Sequence, residues 1–76
     1  MTATPRLVYL ATAPDPVTAE AWAGLLRGEG VPVMVRDDSP AASVYLGFVG
    51  IRRLFVREDQ LEEAKRLLRE YLSPQP

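Results

Sequence analysis

The chain has 76 residues, 47% of them hydrophobic and 25% charged, with no Cys, no His and a formal net charge of −1. That length fits one domain, which buries only ~60% of its unfolded surface, so stability must come from dense packing or a second subunit. The absent Cys and His exclude disulfides, zinc centres, thiol redox chemistry and Cys- or His-based catalysis, and the near-neutral charge recommends neither nucleic acid nor an anionic membrane.

The first apolar patch, "LVYLA", is far shorter than the ~18–20 residues of a membrane span, and Pro14, Asp15 and Pro16 interrupt it where a secretory segment would continue. A cytoplasmic location is therefore expected. The patch reads as a strand over 6–12, with Val8 and Leu10 on one face and Leu7, Tyr9 and Ala11 on the other. Asp15 is placed to cap a helix that begins at Pro16, where a missing N–H costs nothing. That helix runs to Arg27 or Gly28, with Ala19, Trp22, Ala23, Leu25 and Leu26 on its inner face and Glu20 and Arg27 opposite. Gly30 supplies a left-handed stop.

A second strand is expected over 31–36, where Pro32 suits an edge position. A third runs over 50–57, with Leu54 and Val56 on one face and Ile51, Arg53 and Phe55 on the other. The second helix spans 58–72, striped by Leu61, Ala64, Leu67, Leu68, Tyr71 and Leu72. On its solvated side Glu62–Arg66 and Arg66–Glu70 form i,i+4 pairs. The order β-α-β-β-α is that of an α+β, ferredoxin-like α/β plait with a three-stranded antiparallel sheet and two helices on one face. Its fourth strand is missing, since "SPQP" follows the second helix.

In the complete plait the fourth strand lies beside the first. Without it the first strand offers an unpaired edge, and the face carrying Leu7, Tyr9, Ile51 and Phe55 stays uncovered. A homo-oligomer, most simply a dimer, is expected to use these four residues.

Between the second and third strands lies "RDDSPAASVYLGFVGIRR", residues 36–53. A connection of about a dozen residues is long for a compact domain and marks either a contact loop or a longer hairpin that caps the core. Asp37 and Asp38 read as turn-forming aspartates, because adjacent residues point apart and no third metal ligand is spaced to join them. Gly47-Phe48-Val49-Gly50 lacks the following helix that a phosphate cradle needs, so its glycines read as turn positions. Arg36, Arg52 and Arg53 near Tyr9 and Phe55 suggest RNA bound on a sheet face, but the net charge and the absent fourth strand weigh against nucleic acid. No nucleophile–base pair is legible, and no cofactor or metal is implied.

The segments "LVYLATAPDPVTAEAWAGLLRGEGVPVMVRDD" and "IRRLFVREDQLEEAKRLLREYL" carry a resemblance in Asp15-Pro16 with Ala19-Glu20, in Leu26 with Gly30-Val31-Pro32, and in Val56 with Glu58-Asp59 and Ala64. From Leu7 to Leu72 the chain resembles the small bacterial "putative signal-transducing protein" domain, a family of unknown function related in fold to the nitrogen-regulatory PII proteins. The resemblance implies a regulatory or sensory role, and the lack of a legible nucleophile–base pair adds the expectation that it is non-enzymatic. PII-like proteins touch partner proteins through the connection that here contains Tyr45 and Phe48. The PII loop motif and nucleotide-binding segments are not reproduced, so only the idea of a contact loop carries over. An unidentified protein partner is the leading expectation. The alternative is an anionic ligand held at a dimer cleft by Arg36, Arg52 or Arg53, with Tyr45 and Phe48 as further candidate contacts.

Overall fold

A computed structural model of the protein describes residues 5–37 and 50–72. The chain folds as β1 (Leu7–Ala13), α1 (Pro16–Gly28), β2 (Val33–Asp37), β3 (Arg52–Arg57), a 3-10 turn (Glu58–Gln60) and α2 (Leu61–Leu72). The three strands form one sheet in the order β1-β3-β2, antiparallel at both pairings. This is the expected α+β plait, with β3 central and β1 and β2 at the edges.

Local chemistry sets each boundary. The Asp15 carboxylate accepts the Thr18 N–H at 2.7 Å, and Pro16 takes the first helical turn. At the other end of α1, Gly30 has φ +86°. Its N–H donates to the Arg27 carbonyl, while the Val31 N–H reaches back to Leu26 at 2.9 Å. This is a Schellman closure, completed by the apolar contact of Val31 with Leu26 in the core. It also explains why β2 starts at Val33 instead of Val31: the Val31 N–H belongs to the helix cap and Pro32 has none to give.

The second helix opens differently from the sequence expectation. Residues 58–60 wind as a 3-10 turn, and no side chain caps that turn. The residue at the cap position is Arg57, whose guanidinium instead grips Asp59 through two bonds of 3.1 and 2.8 Å. A tightened first turn satisfies amides that would otherwise lack partners. Along α2, Arg66 bridges Glu63 and Glu70, and Glu62 lies 3.9 Å from Lys65. Glu62 is thus not the partner of Arg66. Glu63 and Glu70 sit three and four residues to either side, where one planar guanidinium reaches both.

The core lies between the helices and one face of the sheet. Leu26, Val31, Val56, Ala64, Leu67 and Leu68 make one cluster; Ala13, Ala19, Ala23 and Leu54 make another. Trp22, Leu10 and Val33 pack against both and join them. The apolar stripe of α2 outruns this core, since Tyr71 and Leu72 are both half exposed. No helix is long and apolar enough to cross a membrane among the described residues.

Strand β1 departs from simple alternation. Val8 pairs with Val56 and Tyr9 with Phe55, but the next partner of Leu54 is Ala11, leaving Leu10 as an extra residue. A bulge of this kind flips the alternation that follows it. Leu10 and Ala11 therefore both pack toward the core, and Ala11 leaves the face it was expected to share with Leu7 and Tyr9. Thr12 takes its place there: its hydroxyl lies 2.7 Å from that of Tyr9.

Candidate functional site

The two helices cover one side of the sheet, and the strand alternation delivers a second set of side chains to the other. From β1 come Leu7, Tyr9 and Thr12; from β3, Arg53, Phe55 and Arg57; from β2, Met34 and Arg36. Cross-strand register arranges these in rows. Tyr9, Phe55 and Met34 form an aromatic and thioether row across all three strands, and Thr12, Arg53 and Arg36 form the next. Leu7, Tyr9 and Met34 are each about half exposed, at 48%, 51% and 47%. Apolar side chains this open, gathered on a single face, make this face the candidate site.

The rings on this face are ordered by their neighbours. Tyr9 and Phe55 meet edge to face, with centroids 6.2 Å apart and planes at 75°. The Arg36 guanidinium lies over the Phe55 ring, 5.7 Å from its centroid. Arg57 borders the row and is held by Asp59. Among the described strand residues, no carboxylate is directed to this face. The one strand carboxylate, Asp37, alternates to the helix side and pairs there with Arg52 at 2.9 Å.

The candidate arginines thus divide between two sides of the sheet. Arg36 and Arg53 are register partners on the open face, whereas Arg52 is register partner to Asp37 and turns toward the helices. The four residues expected at an oligomer interface stay at the surface to differing degrees: Leu7, Tyr9 and Ile51 are exposed, and Phe55 is partly covered by its neighbours. Tyr45 and Phe48, the candidate contacts of the long connection, lie outside the described residues, as does Asp38.

Sequence reasoning overlooked two participants, Met34 and Arg57, which complete the open face and follow from the same alternation that places Phe55. Gly50 has the turn conformation expected of it and adds a close contact. It is buried, has φ +95°, and a Cβ there would stand 2.3 Å from Cδ of Pro16. The end of the long connection is therefore seated against the start of α1, at a spot where only glycine fits.

Among the described residues, the fold is a small α+β domain with helices on one side of the sheet and an aromatic and arginine-bearing face on the other. A family model described as "Putative prokaryotic signal transducing protein" matches residues 7–71, and the chain belongs to that family. No curated protein and no solved structure is matched by it.

Proposed function

We propose that this chain is a non-enzymatic regulatory domain that transmits a signal by contact, and that its working surface is the open face of the sheet with the adjoining edge of β1. The observation that carries this reading is the row Tyr9–Phe55–Met34 on the side opposite both helices, with Tyr9 and Met34 half exposed. Folding alone would favour polar residues there. The family description supports a signalling role. PII-like kinship would add the β2–β3 connection with Tyr45 and Phe48 as a second contact, but the sheet face carries the proposal without it.

The reading is tested by placing a photo-crosslinking residue at Tyr9 or Phe55 in the cell, with Glu70 on α2 as the comparison site. Adducts from the sheet positions and none from Glu70 are expected. Adducts confined to Glu70, or none from either sheet position, contradict it.

A second reading draws support from the Arg36–Arg53 pairing: a sensor for a small anion carrying carboxylate or phosphate. Arg52 is engaged by Asp37 on the other side of the sheet. A thermal-shift screen against organic acids and nucleotides, repeated on Arg53→Ala, tests this version. A stabilising ligand whose effect survives the substitution contradicts it.

A further inference from the structure

The two edges of the sheet differ in what they offer a neighbour. In an antiparallel sheet, successive residues turn their backbone N–H and C=O groups alternately toward the adjoining strand and away from it. The Glu58 N–H donates to the Arg6 carbonyl at 2.8 Å. Arg6 and Val8 therefore face β3, and Leu7 and Tyr9 turn their backbone groups outward. On β2 the outward carbonyl of Val33 is taken by Arg27. Among the described residues no strand lies beyond β1. From Leu7 to Ala13 it carries neither a charged side chain nor a proline, the usual guards of an edge. The bulge at Leu10 confines regular outward pairing to the residues before it.

We propose that the β1 edge pairs with β1 of a second copy of the chain, antiparallel about a two-fold axis at Val8. The inference rests on the reading that this edge belongs to the working surface, and it names the occupant. A two-fold interface must be self-complementary, and this register is. Leu7 of one copy lies opposite Tyr9 of the other, in pairs that exchange both N–H···O bonds, and Val8 faces its own counterpart across the axis. An axis at Leu7 would set Tyr9 against Pro5, which has no N–H to give. An axis at Tyr9 would set Leu7 against Ala11, whose backbone is turned to Leu54 of β3. On the open face the pairing lays Leu7 of each copy beside Tyr9 of the other, covering side chains that stand 48% and 51% exposed. On the helix side the partly buried Val8 meets its β-branched counterpart. No charged side chain lies among the paired residues, so none is buried and no like charges are brought together. The Tyr9–Phe55–Met34 rows of the two copies join in one continuous sheet with β2 at both ends. A domain this small buries little of its own surface, and a shared sheet supplies the support of a second subunit.

The experiment combines sedimentation equilibrium of the full chain, from nanomolar to millimolar concentration, with amide hydrogen exchange on the same samples. A dimer is expected at micromolar concentration. The amides of Leu7 and Tyr9 should exchange more slowly as the dimer forms, while the outward amide of Val35 on β2 stays unchanged. Leu7→Pro removes an N–H that β3 does not use, at the first position of the strand, where proline is tolerated. It should weaken the dimer roughly 5- to 150-fold, since one hydrogen bond is lost at each symmetric pair. Fluorescence of Trp22, which packs against the core, reports whether that variant is folded. If proline disturbs β1, exchange at Leu7 and Tyr9 in the parent chain decides the matter. A monomer throughout the range overturns the inference. So does a dimer whose Leu7 and Tyr9 amides exchange as fast as in the dilute chain, or a folded Leu7→Pro dimer as tight as the parent, since the copies then meet elsewhere. If the chain is a monomer while sheet-face crosslinks to other proteins persist, the pairing falls and the contact reading stands.

Discussion

Gly50 and Asp15 hold the same corner of the molecule from two directions. Gly50 combines a left-handed φ with contact against the Pro16 ring, so Gly50→Ala imposes both backbone strain and overlap. We expect a loss of about 2–4 kcal/mol by denaturant unfolding; an alanine variant as stable as the parent would show that the approach to Pro16 is not required. Asp15 acts through charge and hydrogen bonding. The Thr18 N–H it accepts holds its carboxyl below the ordinary aspartate range. Its contribution is therefore complete above the unfolded aspartate value of about 3.9 and is lost as pH falls through the lower folded value. Asp15→Ala should lower the melting temperature at pH 7, and the gap from the parent should shrink as pH falls below 4. A gap that stays constant into acid would contradict a cap carried by the carboxylate. The Gly50 contact was not legible in sequence, because it joins residues that only the assembled fold brings together. The Asp37–Arg52 pair, by contrast, is one of the pairings open to the arginines of this segment. The cap was legible, since it is written within four consecutive residues.

Among the elements, the two helices and the central strand follow from periodicity, and their buried members are those the pattern selects. Leu26, Leu54 and Val56 are fully buried, and Leu26→Ala or Leu54→Ala should cost about 2–5 kcal/mol. In a domain whose whole stability is about 4–11 kcal/mol, either change brings the chain near unfolding at ambient temperature. A cost below 1 kcal/mol at Leu54 would refute the assignment of the central strand to the core. Strand β1 is where periodicity failed. Its bulge at Leu10 exchanges Ala11 for Thr12 on the open face. Apolar residues occupied both faces of the segment, and Thr12, which simple alternation would place on the core side with Val8 and Leu10, was the faint polar sign of the change of phase. The open-face positions Leu7, Tyr9 and Met34 are half exposed and add little to the packed core. Tyr9→Ser should therefore alter stability by no more than about 1 kcal/mol. A larger loss would make Tyr9 part of the fold's support.

At the scale of the whole molecule, the two sheet edges are unequal. The β2 edge is obstructed, because Pro32 precedes it and Arg27 of α1 holds the Val33 carbonyl at 2.9 Å. The β1 edge is the one a complete plait would fill, and we propose that two copies pair there. Antiparallel pairing about a two-fold axis perpendicular to the sheet would leave both open faces on the same side, forming one continuous surface. Light scattering at micromolar concentration should then give twice the 8.4 kDa chain mass; a monomer contradicts the pairing without touching the role of the face. That role is the central claim. It is tested most directly by comparing amide and methyl resonances of the isotopically labelled chain in buffer and in concentrated bacterial lysate. Perturbations should gather at Leu7, Tyr9, Met34, Arg36, Arg53 and Phe55 and leave the outer side of α2 unchanged. Perturbations centred on Glu62, Glu63 and Glu70, or none at all, would contradict it.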